Sequence, residues 1–324
     1  MRIMDALALI KENLIFSLNS TVPIFLLIIL GWFLMQIKLF NKEFTAVADK
    51  YVFKVALPVL LFKDIATANI YENFNLKFVL FCMIATTIMF MGVWALASVF
   101  MKDKSMVGAF VQASARGSAA ILGIAFVNNI YGSSGMAPMM IVAAVPLYNI
   151  YSVIILTFCS NERGDSKGTI KKALINIVKN PIIIGIFLGI PFSLLNIELP
   201  VILSKTITNI ANTATPIALL VVGATFEGRK AIKKIKPTMV ATFIKLIGIP
   251  LVFFPFAVMM GFRGSELVAI LVMLGSPTTV TCYIMAKNMG NDEVLSSSIV
   301  VMATLLSSIT LTMWVFILKT LGLI

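Results

Sequence analysis

Apolar residues run along this chain in long blocks, each closed by a charged or turn-rich interval. A helix rises 1.5 Å per residue, so crossing a hydrocarbon layer of roughly 30 Å takes about 20 mostly apolar residues. Ten blocks have that character: 17–37, 45–66, 76–100, 105–131, 136–159, 180–196, 202–225, 237–260, 265–288 and 294–321. The pattern predicts an all-α polytopic membrane protein with ten transmembrane helices. The longest polar intervals, "SNERGDSKGTIKK" and "EGRKAIKKIK", are too short to be domains, so the chemistry belongs inside the membrane. The opening stretch "MRIMDALALIKENLIF" lacks a small-residue cleavage site and carries Asp5, Lys11 and Glu12. It reads as a short interfacial helix leading into the first span, not as a cleaved signal.

Composition agrees with the pattern. Of 324 residues, 60% are hydrophobic and 12% charged, where soluble domains have about a quarter charged. The net charge of +12 would suggest nucleic acid in a soluble protein, but here its placement matters more. Short loops rich in Lys and Arg stay in the cytoplasm. Arg163, Lys167, Lys171, Lys172 and Lys179 follow span five, and Arg229, Lys230, Lys233, Lys234 and Lys236 follow span seven. Both loops are therefore placed in the cytoplasm, both termini outside, and no nucleic-acid partner is expected. Cys82, Cys159 and Cys282 have no metal-ligand spacing and the chain has no histidine. That excludes a Cys/His zinc site, a His-based triad and an HExxH metalloprotease.

Sliding the chain on itself by 158 residues brings Pro23-Ile24 onto Pro181-Ile182, Leu30-Gly31 onto Leu188-Gly189, Pro58 onto Pro216, Ala66-Thr67 onto Ala224-Thr225, Gly117-Ser118 onto Gly275-Ser276, and Gly132 onto Gly290. Five of the eleven Gly and Pro residues before residue 159 meet their own kind, where usage of about 5–7% each predicts roughly one or fewer. Each repeat holds five spans, an odd number, so the second copy enters the membrane from the opposite side. The domain reading is a first repeat over 1–158, a basic cytoplasmic loop over 159–179 and an inverted second repeat over 180–324.

Within this frame "LGSPTTVTCY" (274–283) stands out, near the middle of span nine, with its repeat mate "ARGSAAIL" (115–122) near the middle of span four. Gly275 supplies permissive backbone, Ser276 is a preferred N-cap, and Pro277 suits the first position of a new helix. Together they predict that one half-helix stops and another starts at membrane depth; Gly117-Ser118 would do the same more weakly, because Ala119 stands in place of the proline. Two such breaks would cross near the midplane and present half-helix N-termini, which attract anions. The bland alternative is an ordinary proline kink whose hydroxyls bond back to their own helix. Lys54, Arg116 and Lys245 lie within or near hydrocarbon depth, whereas Asp49, Asp64 and Glu227 fall toward span ends. An unbalanced basic set suits an anionic substrate, with snorkelling to the interface as the alternative for each.

These features resemble the auxin efflux carrier family of membrane transporters, including its bacterial members described as malate or malonate permeases. The resemblance rests on "YVFKVALPVLLFKDIA" (51–66), "NPIIIGIFLGI" (180–190), "TPIALLVVGATFEG" (215–228), "KLIGIPL" (245–251) and the long stretch from Gly275 to Trp314. It implies two inverted five-helix repeats with interrupted, crossing helices four and nine, an architecture like that of sodium/proton antiporters and bile-acid transporters. It further implies a scaffold of spans one, two, six and seven with Pro58 and Pro216 at its hinges. Spans three to five and eight to ten would form a moving transport part, dimerising through the scaffold. Where the family has Asn and Pro in span four, this chain has Ser118 and Ala125.

The function expected is a secondary carrier of small organic anions in the cell membrane, not an enzyme. Arg116, Gly117, Ser118, Gly275, Ser276, Pro277, Thr278 and Lys245 are the candidate substrate-binding residues. No GxxxxGK[ST] motif occurs, so transport would draw on membrane potential, an ion gradient or the substrate's own gradient. No cofactor is expected, and proton or sodium coupling stays open. The alternatives are a sodium- or proton-coupled antiporter on the same architecture, a non-transporting sensor, and an intramembrane enzyme using Ser118 or Ser276 with a lysine base.

Overall fold

A computed structural model describes residues 3–67, 74–160, 174–175, 177–195 and 197–324. Arg163, Lys167, Lys171 and Lys172, used above for orientation, lie outside the described residues. The chain forms α1 (Ile3–Gln36), α2 (Lys42–Tyr51), a π turn (Val52–Ala56), α3 (Leu57–Ala66), α4 (Leu76–Phe100), α5 (Val107–Ala115), α6 (Ala119–Tyr131), α7 (Ala137–Phe158) and α8 (Pro181–Leu194). It continues with α9 (Val201–Ala224), α10 (Gly228–Lys233), α11 (Ile235–Phe243), a second π turn (Ile244–Gly248), α12 (Ile249–Met259), α13 (Gly264–Gly275), α14 (Thr281–Asn288) and α15 (Glu293–Thr320).

Among the described residues five helical stretches are long and apolar enough to cross a membrane: Leu76–Phe100, Ala137–Phe158, Val201–Ala224, Ile235–Met259 and Glu293–Thr320. In Leu76–Phe100 the outer face is apolar as well as the buried one. On α4, Phe78, Cys82, Ala85 and Met89 are buried while Leu76, Leu80, Ile84 and Ile88 point outward and are exposed. A helix that is hydrophobic all round fits lipid on one side and protein on the other.

Helix starts follow local chemistry. Asn41, Asn75, Asn180 and Asp292 each accept a backbone N–H from the first turn they precede, at Phe44, Phe78, Ile182 and Leu295, as N-caps do. One boundary departs from the sequence reading. Ile3–Gln36 is one continuous helix, not a separate interfacial segment joined to a span. The chain offers no glycine before Gly31 and no proline before Pro23 to stop it.

Both π turns sit immediately before a Leu-Pro or Ile-Pro step. Proline has no N–H to give and its ring clashes with the carbonyl four residues back, here those of Lys54 for Pro58 and Leu246 for Pro250. Widening the turn relieves the clash, and at the second site the indole N–H of Trp314 takes the freed Leu246 carbonyl at 3.0 Å. α1 meets α9, and α8 meets α3, at glycines. A Cβ on Gly31 would lie 2.1 Å from the carbonyl oxygen of Leu220, and one on Gly189 would lie 2.9 Å from that of Phe62. Small residues let membrane helices approach this closely.

Candidate functional site

Two helix interruptions touch in the interior. α5 ends at Ala115 and α6 begins at Ala119; α13 ends at Gly275 and α14 begins at Thr281. Arg116 (φ −80°, ψ 123°) and Ser276 (φ −67°, ψ 154°) are both extended. The Ser118 N–H donates to the Pro277 carbonyl at 2.9 Å, and Gly117 pairs with Thr278 in an antiparallel bridge. The Thr278 hydroxyl donates to the Ala113 carbonyl at 2.6 Å. Ser276 is therefore not the N-cap of the new helix, and Pro277 is not its first residue. The restart comes at Thr281, because extended residues let the two breaks satisfy each other's backbone groups where no water would. The break at 116–118 is complete even without a proline.

A cleft of about 450 Å³ lies beside the crossing. One wall comes from α3 and α9, with Leu57, Leu61, Lys63 and Asp64 from the first and Asn212, Thr215 and Pro216 from the second. The other carries Arg116, Gly117, Ser118, Thr279 and Thr281, with Tyr148 of α7 beside them. Tyr148 is held by a 2.8 Å bond from its hydroxyl to the Met273 carbonyl. Neither α6 nor α14 has a side-chain cap on its first turn, so both N-termini keep their partial positive charge near the cleft.

Arg116 is 6% exposed, and its guanidinium donates to the Met285 sulfur at 2.8 Å. Among the described residues no Asp or Glu pairs with it. A buried cation without a counter-charge costs several kcal/mol. Arg116, Gly117, Ser118 and Pro216 thus border one cavity. Gly275, Ser276, Pro277, Thr278 and Lys245 do not line it: they build the crossing behind. Ser276 is fully buried and its hydroxyl has no hydrogen-bond partner among the described residues. Lys245 is fully buried too, and its ammonium donates to the carbonyls of Ala115 (3.2 Å) and Leu274 (2.8 Å). Lys54 is exposed. Pro58 packs against α8, its carbonyl oxygen 2.4 Å from where a Cβ on Gly185 would be.

Thr279, Thr281, Asn212 and Thr215 reach the cleft without having been singled out as binding residues. Thr279 and Thr281 lie in the hydroxyl-rich stretch already noticed, whereas Asn212 and Thr215 had only one signal, polar residues close before Pro216 in an apolar span. A polar cluster also joins α2 and α9 to α14. Lys287 pairs with Asp49 at 3.0 Å and bonds the Tyr283 hydroxyl at 3.0 Å, and that hydroxyl meets Thr225 at 2.7 Å.

A family profile described as "Membrane transport protein" matches residues 16–315. A Rhizobium meliloti protein named "Putative malonate transporter" is 23% identical over 306 residues, covering 92% of this chain and 94% of its own. An "Uncharacterized transporter" of Methanothermobacter thermautotrophicus is 22% identical over 301 residues, covering 92% and 97%. The Escherichia coli K12 "Uncharacterized transporter YfdV" is 26% identical over 246 residues, covering 74% and 77%. With a match across nearly the whole chain and several helices fit to cross a bilayer, this multi-pass membrane protein belongs to the membrane transport protein family, that of the auxin efflux carriers.

Proposed function

We propose that the protein is a secondary carrier of small organic dianions, dicarboxylates of malate or malonate size, working by alternating access in the cell membrane. The observation that carries this reading is Arg116, buried on the wall of the cleft with no acidic partner among the described residues, beside two uncapped helix N-termini. Each N-terminus is equivalent to about half a positive charge, so with Arg116 the wall carries about +2. A dicarboxylate dianion balances it. Thr279 and Thr281 add hydroxyls on the same wall, and Asn212 and Thr215 face it from α9.

The arrangement we propose has ten spans in two inverted repeats, 1–158 and 180–324, joined by the basic segment 159–179. Spans one, two, six and seven form a scaffold through which two copies pair, and spans three to five and eight to ten move the bound anion as an elevator. Both termini face outward and the loops after spans five and seven face the cytoplasm. Contacts related by the 158-residue shift support the repeat. Gly31 packs against the Leu220 carbonyl and Gly189 against that of Phe62, so both members of the pair shift together. Gly132 and Gly290, likewise 158 apart, follow α6 and α14 with φ of 71° and 66°.

A second reading, proton-coupled antiport, draws on one observation. Asp64 lies 3.8 Å from Lys63 and lines the cleft, where a carboxylate could exchange a proton.

The test is counterflow of labelled malonate, malate and a panel of mono- and dicarboxylates in proteoliposomes, wild type against Arg116→Gln. A buried charge pair that loses one member typically gives up about 2–5 kcal/mol, so KM should rise by about 30-fold or more. Absence of flux for every carboxylate, with and without imposed sodium, proton or voltage gradients, would remove the anion reading. Monocarboxylates carried better than dicarboxylates would overturn the charge count.

A further inference from the structure

Lys245 poses a separate question, because it is fully buried yet absent from the cleft wall. Among the described residues it pairs with no carboxylate. Its ammonium instead holds the carbonyls of Ala115, the last residue of α5, and Leu274, the penultimate residue of α13. These are the C-terminal ends of the two first half-helices. Each carries about half a negative charge, so together they offer about −1 to a single cation. The carbonyl ends of broken helices are also the kind of oxygen site at which ion-coupled carriers hold a metal ion.

We infer that Lys245 is a tethered cation that takes the place of a free ion at the crossing. It draws the ends of α5 and α13 together and so fixes the extended residues that follow each. Its ammonium lies against Gly117, 2.9 Å from where a Cβ would be, with the unpartnered Ser276 hydroxyl on the same side at 2.4 Å. Lys245 is on this view a positioning residue, set behind the wall that Arg116 presents to substrate. The inference uses the carrier reading for its flux readout only; its stability readout stands without it.

The consequence is specific. Shortening the side chain leaves two carbonyls and a hydroxyl around a void, and a small free cation should then substitute. Wild type, Lys245→Ala and Lys245→Met would be compared in choline, sodium and ethylammonium chloride at equal ionic strength. The readouts are melting in detergent and dicarboxylate counterflow in proteoliposomes. In choline, Lys245→Ala should melt below wild type and lose flux by about tenfold or more, the loss expected when a charged hydrogen bond is removed. Ethylammonium or sodium should restore part of both in Lys245→Ala, neither in Lys245→Met, whose side chain fills the void, and should leave wild type unchanged.

Wild-type behaviour of Lys245→Ala in choline would overturn the inference. So would an equal deficit in all three salts, which would assign the effect to packing and not to charge. Should Lys245→Ala not purify, Lys245→Arg against Lys245→Met decides it: greater flux and stability with Arg supports the tethered cation, and equal loss overturns it. If wild type carries no carboxylate at all, the carrier reading falls while the melting comparison still judges Lys245.

Discussion

Gly117 is where the crossing leaves least room, and adding one methyl group there is a direct perturbation of it. A Cβ at this position would lie 2.4 Å from the Ser276 hydroxyl oxygen, 2.9 Å from Lys245 Nζ and 3.1 Å from its Cε. Unstrained contacts between heavy atoms fall near 3.5–4.0 Å, so the hydroxyl would have to yield by about 1 Å. The lysine tip can swing. Ser276 has less freedom, being fully buried on a segment pinned by the Ser118–Pro277 bond at 2.9 Å and the Thr278–Ala113 bond at 2.6 Å. Overpacking of this kind costs about 1–3 kcal/mol, and Gly117→Ala should melt lower and lose counterflow. Ser276→Gly removes the atom that is struck and breaks no hydrogen bond, since that hydroxyl has no partner among the described residues. The double variant should therefore regain much of the loss, with a coupling of at least about 1 kcal/mol in the cycle. Melting followed by tryptophan fluorescence, with dicarboxylate counterflow alongside, reads both legs. Wild-type stability and flux in Gly117→Ala, or additive effects in the double variant, would refute the geometry on which this rests.

Other parts of the structure make independent predictions. Asp49→Asn removes the charge opposite Lys287, whose partner carboxylate is 4% exposed, and should lower stability by about 1–3 kcal/mol, read as a melting shift; an unchanged melting curve would mean that the contact between α2 and α14 contributes nothing. Trp314→Phe keeps the ring but strands the Leu246 carbonyl that the indole N–H bonds at 3.0 Å, a loss of about 1–3 kcal/mol that equal stability would contradict. Gly31→Ala should destabilise more than Gly189→Ala, because its Cβ would stand 2.1 Å instead of 2.9 Å from a backbone oxygen; the reverse order in melting temperature would refute the packing argument.

The sequence made the helices legible because lipid imposes one rule on every span, length and continuous apolarity. The helix ends from Leu76 to Phe100 and near Ala224 fall within a residue of where the blocks stop. The existence of both interruptions was legible too, from Gly275-Ser276-Pro277 and its shifted mate. Their internal geometry was not. Local propensity favours Ser276 as a cap, but Ser118 and Pro277 bond across 159 positions of chain, and no local rule weighs that pairing. The division between Arg116 and Lys245 was hidden for the same reason. Both read as intramembrane cations, and only the packing of α5 and α13 decides that one borders the cleft while the other caps carbonyls. Asp64 does lie at a span end, two residues before the close of α3, and α3 also carries it onto the cleft wall, which no local signal announced.

Two prolines account for much of what separates those roles. A π turn inserts one extra residue, which rotates whatever follows by about 100° relative to what precedes it. Before Pro250 the turn carries Lys245, so the ammonium faces the crossing while the next turns present Leu251, Val252 and Phe256 outward, each more than half exposed. Before Pro58 the same device lets α2 turn Asp49 toward Lys287 while α3 turns Leu57, Leu61, Lys63 and Asp64 into the cleft. A regular helix through either site would force polar and lipid-facing residues onto one phase, and one set would be misplaced. Replacing the clash at proline with a wider turn thus lets a single span serve two surfaces. The freed carbonyl is the residual cost, which Trp314 removes at Leu246. Of the two buried cations, Lys245 is thereby held by carbonyls, and Arg116 is left at the cleft with no carboxylate partner among the described residues; on the proposed carrier reading, that is the charge an anion would meet.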